Sequence, residues 1–464
     1  MSRPRRLEPP HQVIEAALAG SGSGGCVVIV EDTSEVDLRF AVNTVTTDGV
    51  RLDRRVTVIR SSERREGTSV GISSRSGAVE VGELLAAAEE DASKAPPAED
   101  AAPLIEGAVA PDFDQAPVHN EPAVLSGVLS GLGGAFDRAK SSGNVIAGFA
   151  EHSVTSTYLG SSTGTRLRHV QPTGKVELVA RDSAGGRSAW VGIGTPDFGD
   201  VHIAELEQRL LSRLAWAERH VDLPAGRYQV LLPPDAVADL VLMLGEATSG
   251  REAEEGQSVF SAPGGGTRLG ASLSEVAFDL RSDPFERGLE CEPFLATSAS
   301  GSDVSVFDNG MSLEPTHWVR AGKLERLRYH RAGADRSHQV PAPPIDNLVL
   351  EAPGAGSSLD SMIERTDRGL LLTCLWYIRE VDPATLLLTG LTRDGVYLVE
   401  HGEIVGAVNN FRFNESPVDL LAKSVEVGRT ERALSREWNE YFNRTAMPPI
   451  RVDGFNMSSV SPAT

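Results

Sequence analysis

Residues 228–260 read YQVLLPPDAVADLVLMLGEATSGREAEEGQSVF. Tyr228 to Leu232 is a short, mostly apolar run, the pattern of a buried strand. Pro233 and Pro234 have no backbone N–H to donate, so they end the strand and turn the chain. From Asp235 to Leu244, and on to Glu246, apolar residues fall on nearly every side, which predicts a helix enclosed by the rest of the protein. A loop punctuated by Gly250 and Gly256 then leads to Ser258, Val259 and Phe260.

The rest of the chain sets the frame for this unit. With 464 residues it is long enough for two or three cores, and 40% hydrophobic with 23% charged residues describes a soluble globular composition. Its 44 basic and 65 acidic residues give a net charge of −21. Such a chain repels phosphate backbones and anionic membranes, so no nucleic-acid or membrane partner is expected. The basic residues in Met1–Arg6 and the run Arg51, Arg54, Arg55, Arg60, Arg64, Arg65 are the local exceptions, and arginines alternating on a strand read as a solvated face. Cys26, Cys291 and Cys374 are few, odd in number and far apart, which fits a reducing cytoplasm rather than a disulfide framework. No signal-peptide pattern follows the N-terminal charges, and the longest apolar run, Leu370 to Ile378, is too short to span a bilayer. A cytoplasmic location is the expectation.

The fold class expected is α+β. Residues 1–221 read as a layered α/β domain and residues 222–464 as a β-rich domain around the buried helix. In the first, a helix over Gln12–Ala19 precedes strands at Cys26–Glu31, Glu35–Asn43, Arg54–Arg60 and Ser69–Ser73, an antiparallel meander. Helices follow at Glu80–Ala92 and Leu125–Ser141, with strands at Val145–Tyr158, Val176–Arg181 and Ser188–Ile193. Ile203–Arg219 is an amphipathic helix with Leu206, Leu210, Leu214 and Ala217 on one face. Between the first helices, residues 94–121 are Ala, Pro and acid, a composition expected to form a mobile loop. In the second domain, the clearest hairpin is Val396–Val408, with His401 and Gly402 at its tip.

These pieces, in this order, resemble the TldD/PmbA family, the "modulator of gyrase" metallopeptidases. The strand Tyr228–Leu232, the turn Asp308-Asn309-Gly310, the hairpin Val396 to Ile404, the Val427-Gly428 step and the closing strand Pro449–Gly454 all have counterparts there. So does Tyr158–Gly164 in the first half. Metal-binding members of the family carry a HExxxH zinc motif on the buried helix. Counting back from Ser258-Val259-Phe260, its three functional positions fall on Val241, Leu242 and Glu246, and no Cys follows Cys374 to serve as a later ligand. Zinc needs several N, S or O donors converging on one point, and a lone carboxylate does not supply them. Val241 and Leu242 read as core residues and Glu246 as a solvent-facing helix end.

No other pattern rebuilds a site. His330 and His338 are eight residues apart with Asp335 between them, in a stretch that reads as a loop. His152 reads as a strand histidine satisfied by a partner, and His317 and His401 as turn residues. Acidic neighbours raise the pKa of Cys291, the opposite of what a reactive thiol needs, and Cys374 reads as a core residue. Ser302, Ser357 and Ser358 lack a G-x-S-x-G frame, and Gly264–Gly266 is not followed by the lysine of a phosphate-binding loop.

The resemblance therefore implies a PmbA/TldE-type subunit with no catalytic or metal-binding residues and no cofactor of its own. It implies a heterodimer with a TldD-type zinc subunit, cleaving unfolded or flexible peptides. A homodimeric peptide-binding protein that has lost proteolysis, and a peptidase with a site rebuilt around Glu246, are the alternatives.

Overall fold

The computed structural model describes residues 7–182, 184, 186–393 and 395–462. The basic residues of Met1–Arg6 lie outside them. In the first half, the order is α1 (Pro10–Gly20), β1 (Gly25–Ala41), β2 (Thr44–Arg64), β3 (Gly67–Ser76), α2 (Val81–Lys94), α3 (Ser126–Ser142), β4 (Asn144–Ser161), β5 (Arg166–Asp182), β6 (Ser188–Thr195) and α4 (Ile203–Trp216). The six strands form one sheet ordered β3-β2-β1-β4-β5-β6, antiparallel throughout. A helix, three strands and a helix thus occur twice, and the two units meet where β1 pairs with β4.

All four helices contribute to cores on one face of this sheet. Ile14, Leu84 and Ala88 pack on Val28, Val30, Val56 and Val58, while Leu132, Phe136, Leu206 and Leu210 pack on Val36, Leu38 and Phe40. These strand residues alternate along the chain because successive side chains point to opposite faces. The strands are longer than apolar alternation predicts. Cys26–Glu31 and Glu35–Asn43 are one strand, since Asp32 and Ser34 between them are buried and bonded to Arg54 and Asn120. Likewise β5 starts ten residues before Val176, through polar residues such as Gln171 and Thr173. The amphipathic helix α4 stops at Trp216 rather than Arg219.

The arginine run is not a uniformly solvated face. Arg51 is exposed beside Glu35, but Arg54 is buried in a two-point pair with Asp32, and Arg60 is buried against the carbonyls of Gly25 and Ser23. Beyond Lys94, which ends α2, residues 95–121 hold no helix and are fastened by long-range contacts. Gln115 accepts from the Tyr158 hydroxyl at 2.6 Å, Asp112 pairs with Arg168 at 2.7 Å, and Asn120 bonds to Ser34 and His152.

The second half builds a ten-stranded and a six-stranded sheet. The strand Gly226–Leu232 lies inside the larger one, between Ile450–Val460 and the parallel strand Arg368–Leu372. The hairpin forms as Val396–Glu400 and Glu403–Val408, and His401 and Gly402 both take positive φ at its tip, as a tight hairpin turn requires. Among the described residues no helix is long and apolar enough to cross a membrane. Contacts between the halves include an apolar one and a cationic one. Phe294, Val306 and Phe307 pack on Val27, Ile29 and Leu159, and Arg436 sits between Trp190 of the first half and Trp376 of the second, 5.4 and 4.6 Å from the ring centres.

Candidate functional site

The buried helix, α5, spans Pro234–Glu246. Pro234 in its first turn needs no hydrogen-bond acceptor, and Asp235 there complements the positive end of the helix dipole. Its core position explains the unbroken apolar sequence. Val237, Leu240, Val241 and Leu244 belong to one cluster with Val230, Leu370 and Ile450 from the larger sheet and Leu280, Trp318 and Leu348 from the smaller. A helix packed on several sides has no wet face on which to place polar residues.

Two acids interrupt that pattern, and both are buried. Asp235 accepts from the Leu434 amide at 3.1 Å; Asp239, one turn on, accepts from the Ser435 hydroxyl at 2.6 Å and the Glu437 amide at 2.9 Å. They fasten the segment 434–438 to the helix. Burial raises both carboxyls, and Asp239 is pushed up to about 8, with the Ser435 and Glu437 hydrogen bonds pulling it back.

At the other end of α5, the three motif positions diverge in environment. Val241 has no exposed surface; Leu242 is buried and forms part of the wall of a cavity of about 340 Å³. Gly245, Glu246, Trp318, Arg328, Ile345 and Phe442 also line it. Glu246 is exposed, as a helix-end residue should be, and its carboxylate lies 3.4 Å from Arg328. Arg328 is itself buried. It reaches Asp303 at 2.9 Å, donates to the Glu246 carbonyl, and joins its backbone to Thr248 and Gly250. A guanidinium thus closes the carbonyl end of the helix, where positive charge is favoured.

These residues do not fit zinc. Val241 and Leu242 have no lone pairs to offer, and the carboxylate of Glu246 faces a fixed cation that would repel a divalent ion. Among the described residues no three His, Cys, Asp or Glu side chains gather where they could hold a metal ion. The other candidates lie apart from one another. His330 does not sit in a loop but caps the short helix Arg331–Arg336, its Nδ1 accepting from the Gly333 amide, while His338 is exposed. His152 is buried between Asn120 and the Pro196 carbonyl; His401 is exposed beside Asp367. Burial, with Asp346 adding to it, pushes the Cys291 thiol up to about 12, and Cys374 is a buried sulfur against Arg436. Ser358 is a helix cap, and Gly264–Gly266 form a tight turn closed by a Ser261–Thr267 bridge. Arg328 and Asp303 carried no signal in the sequence. Asp235 and Asp239 did: two acids four residues apart in a helix otherwise fit for a core.

Residues 225–459 match the family model of the PmbA/TldA metallopeptidase C-terminal domain. The chain belongs to the PmbA/TldD family. Its fold is that of solved PmbA/TldD-like structures. TldE from Thermococcus kodakarensis superposes with a TM-score of 0.75 at 15% identity, over 96% of this chain and 98% of that one. A putative modulator of a DNA gyrase from Thermotoga maritima gives 0.74 at 16% identity over 96% and 98%, and one from Bacteroides thetaiotaomicron gives 0.74 at 14% over 97% and 98%. Compared by sequence with curated proteins, the chain matches none. In this PmbA/TldD member, the positions counted back from Ser258-Val259-Phe260 hold two apolar residues and one carboxylate that faces an arginine.

Proposed function

We propose that this chain is the zinc-less, TldE-type subunit of a two-chain peptidase that acts on unfolded or flexible peptides. The observation that carries the reading is the motif end of α5, where Val241 is sealed in the core and Arg328 occupies the charge position beside Glu246. In this reading, the hydrolytic water and the metal belong to a TldD-type partner, and this chain supplies walls that exclude bulk solvent and hold the peptide. A site rebuilt around Glu246 is the less favoured reading, because its carboxylate and that of Asp303 both face the Arg328 guanidinium. Binding of peptide without cleavage by a homodimer is the reading that remains if no zinc-bearing partner exists.

Co-expression with the HExxxH-bearing relative of the same genome, followed by native mass spectrometry and metal analysis, tests the proposal. The expected result is a one-to-one complex with one zinc on the partner. An obligate interface of roughly 2,000 Å² or more should survive purification at micromolar concentration. A chain that stays alone in the presence of that relative, or that itself holds stoichiometric zinc, overturns it.

A further inference from the structure

The cavity of about 340 Å³ beside the Glu246 end of α5 draws an apolar wall from separate parts of the second half. Leu242 comes from α5, Trp318 and Leu348 from the strands Thr316–Arg320 and Leu348–Glu351 of the smaller sheet, and Ile345 and Phe442 from the chain between strands. The first four are buried and Phe442 is half-buried. The polar members of the wall are already engaged. The Trp318 indole donates to the Ser282 hydroxyl at 2.9 Å, and that hydroxyl donates to the Asn347 carbonyl at 2.5 Å. The Asn347 side chain donates to the carbonyls of Asp283 and Leu289 and accepts from the Asp283 amide. Arg328 turns its terminal nitrogens to Glu246 and Asp303, and its Nε is shut away from solvent. Charge stands at the mouth, where the side chains of Glu246 and Asp346 are 65% and 54% exposed.

We propose that this cavity takes one bulky apolar side chain, of leucine or phenylalanine size, from a flexible peptide. The proposal rests on the preceding reading that the complex handles flexible peptides, and it names the residue class that this chain selects. Size is the first support. An apolar cavity of about 150 Å³ is enough to bind benzene, so the volume here admits an isobutyl or benzyl group with part of its backbone. Small-molecule pockets of this size are walled mostly by apolar and aromatic side chains, as this one is by Leu242, Trp318, Ile345, Leu348 and Phe442. Hydrogen bonding is the second support. Trp318, Ser282 and Asn347 keep their bonds when an apolar group enters, so burying it recovers hydrophobic free energy without stripping those three of partners.

The same wall disfavours other side chains. A serine or asparagine would give up its water and find Trp318, Ser282 and Asn347 already bonded elsewhere. An acidic side chain would also meet the like charge of Glu246 and Asp346 at the mouth. Folded proteins keep leucine and phenylalanine inside, whereas flexible chains expose them. A pocket of this kind therefore separates flexible chains from folded ones by the side chains they display, and it does so without reading a longer sequence.

The test measures fluorescence anisotropy of four uncleavable Gly-Ser dodecapeptides, differing only in a central Leu, Phe, Ala or Asp, on the chain alone and on its complex. The Leu and Phe peptides should bind about tenfold or more tightly than the Ala peptide, and the Asp peptide no better than Ala. Ile345→Phe, which adds volume to the wall, should erase that preference in a protein whose circular dichroism is unchanged. A peptide with photo-leucine at its centre needs no variant. On illumination with the unaltered protein it should crosslink to Leu242, Trp318, Ile345 or Phe442, as read by mass spectrometry. If Leu and Phe bind no better than Ala, if folded Ile345→Phe keeps the preference, or if the crosslinks fall elsewhere, the proposal is overturned while peptide handling stands. If none of the peptides binds to chain or complex, peptide handling falls as well.

Discussion

Two regions of this molecule make a useful contrast. The Glu246 end of α5 is walled largely by apolar side chains, and the Glu246 carboxylate there lies 3.4 Å from Arg328. The outer face of β1 and β4 lies in the half without any motif, yet it keeps carboxylates half-buried and facing each other. Solvation explains the difference. A position walled by Val241 and Leu242 cannot hold a charge without a partner, whereas the sheet face leaves its carboxylates only partly buried.

The contrast can be broken most forcefully at α5. The double substitution Val241→His/Leu242→Glu places two polar groups in packed positions and should cost about 4 kcal/mol or more. Denaturant unfolding should show that loss, and metal analysis should find no zinc retained after dialysis. Stoichiometric zinc with unchanged stability would mean that the position is a metal site waiting for ligands. Next in size is Arg54→Met, which strands Asp32 in the helix-side layer of the sheet and should cost roughly 3–5 kcal/mol. Adding Asp32→Leu should recover part of it, separating that buried pair from the solvated acids on the opposite face.

Asp239 sharpens the comparison through pH. Its folded-state pKa, near 8, lies above that of an ordinary carboxylate, so the folded protein keeps a proton that the unfolded chain releases. Stability from this group is complete below about pH 4 and falls as pH rises through the folded value near 8. Thermal melts across that range should show the decline, and Asp239→Asn should make it shallower; parallel curves for the two proteins would show that Asp239 is ionised throughout. Arg436→Ala, which removes the cation lying between Trp190 and Trp376, should cost about 1–2 kcal/mol and loosen the contact between the halves. The smallest effect belongs to Glu246→Gln. Its pair with Arg328 is solvent-facing on one side, so a change within about 0.5 kcal/mol is expected by the same denaturation assay.

Much of the architecture was legible because the signals are local. Pro233-Pro234 ends a strand and starts a helix, His401-Gly402 makes a hairpin, and leucines one turn apart place α4 on the sheet. The strands were read short where they are polar. Apolar alternation is visible only while one face is dry, and residues 166–175 of β5 border the polar face and the other half of the molecule. The arginines of β2 show the same limit, for nothing near Arg54 in sequence foretells Asp32 and the Glu8 carbonyl.

Residue order was enough to establish that α5 is a core helix and that Val241 and Leu242 cannot bind metal, because side-chain chemistry alone excludes them. Folding decided which charged groups meet at the end of α5 and across the halves. Arg328 comes from 82 residues beyond Glu246, and Glu292 meets Glu31 from the opposite half of the chain. Contacts between residues so far apart depend on how two sheets and a helix pack in space, and no local spacing encodes them.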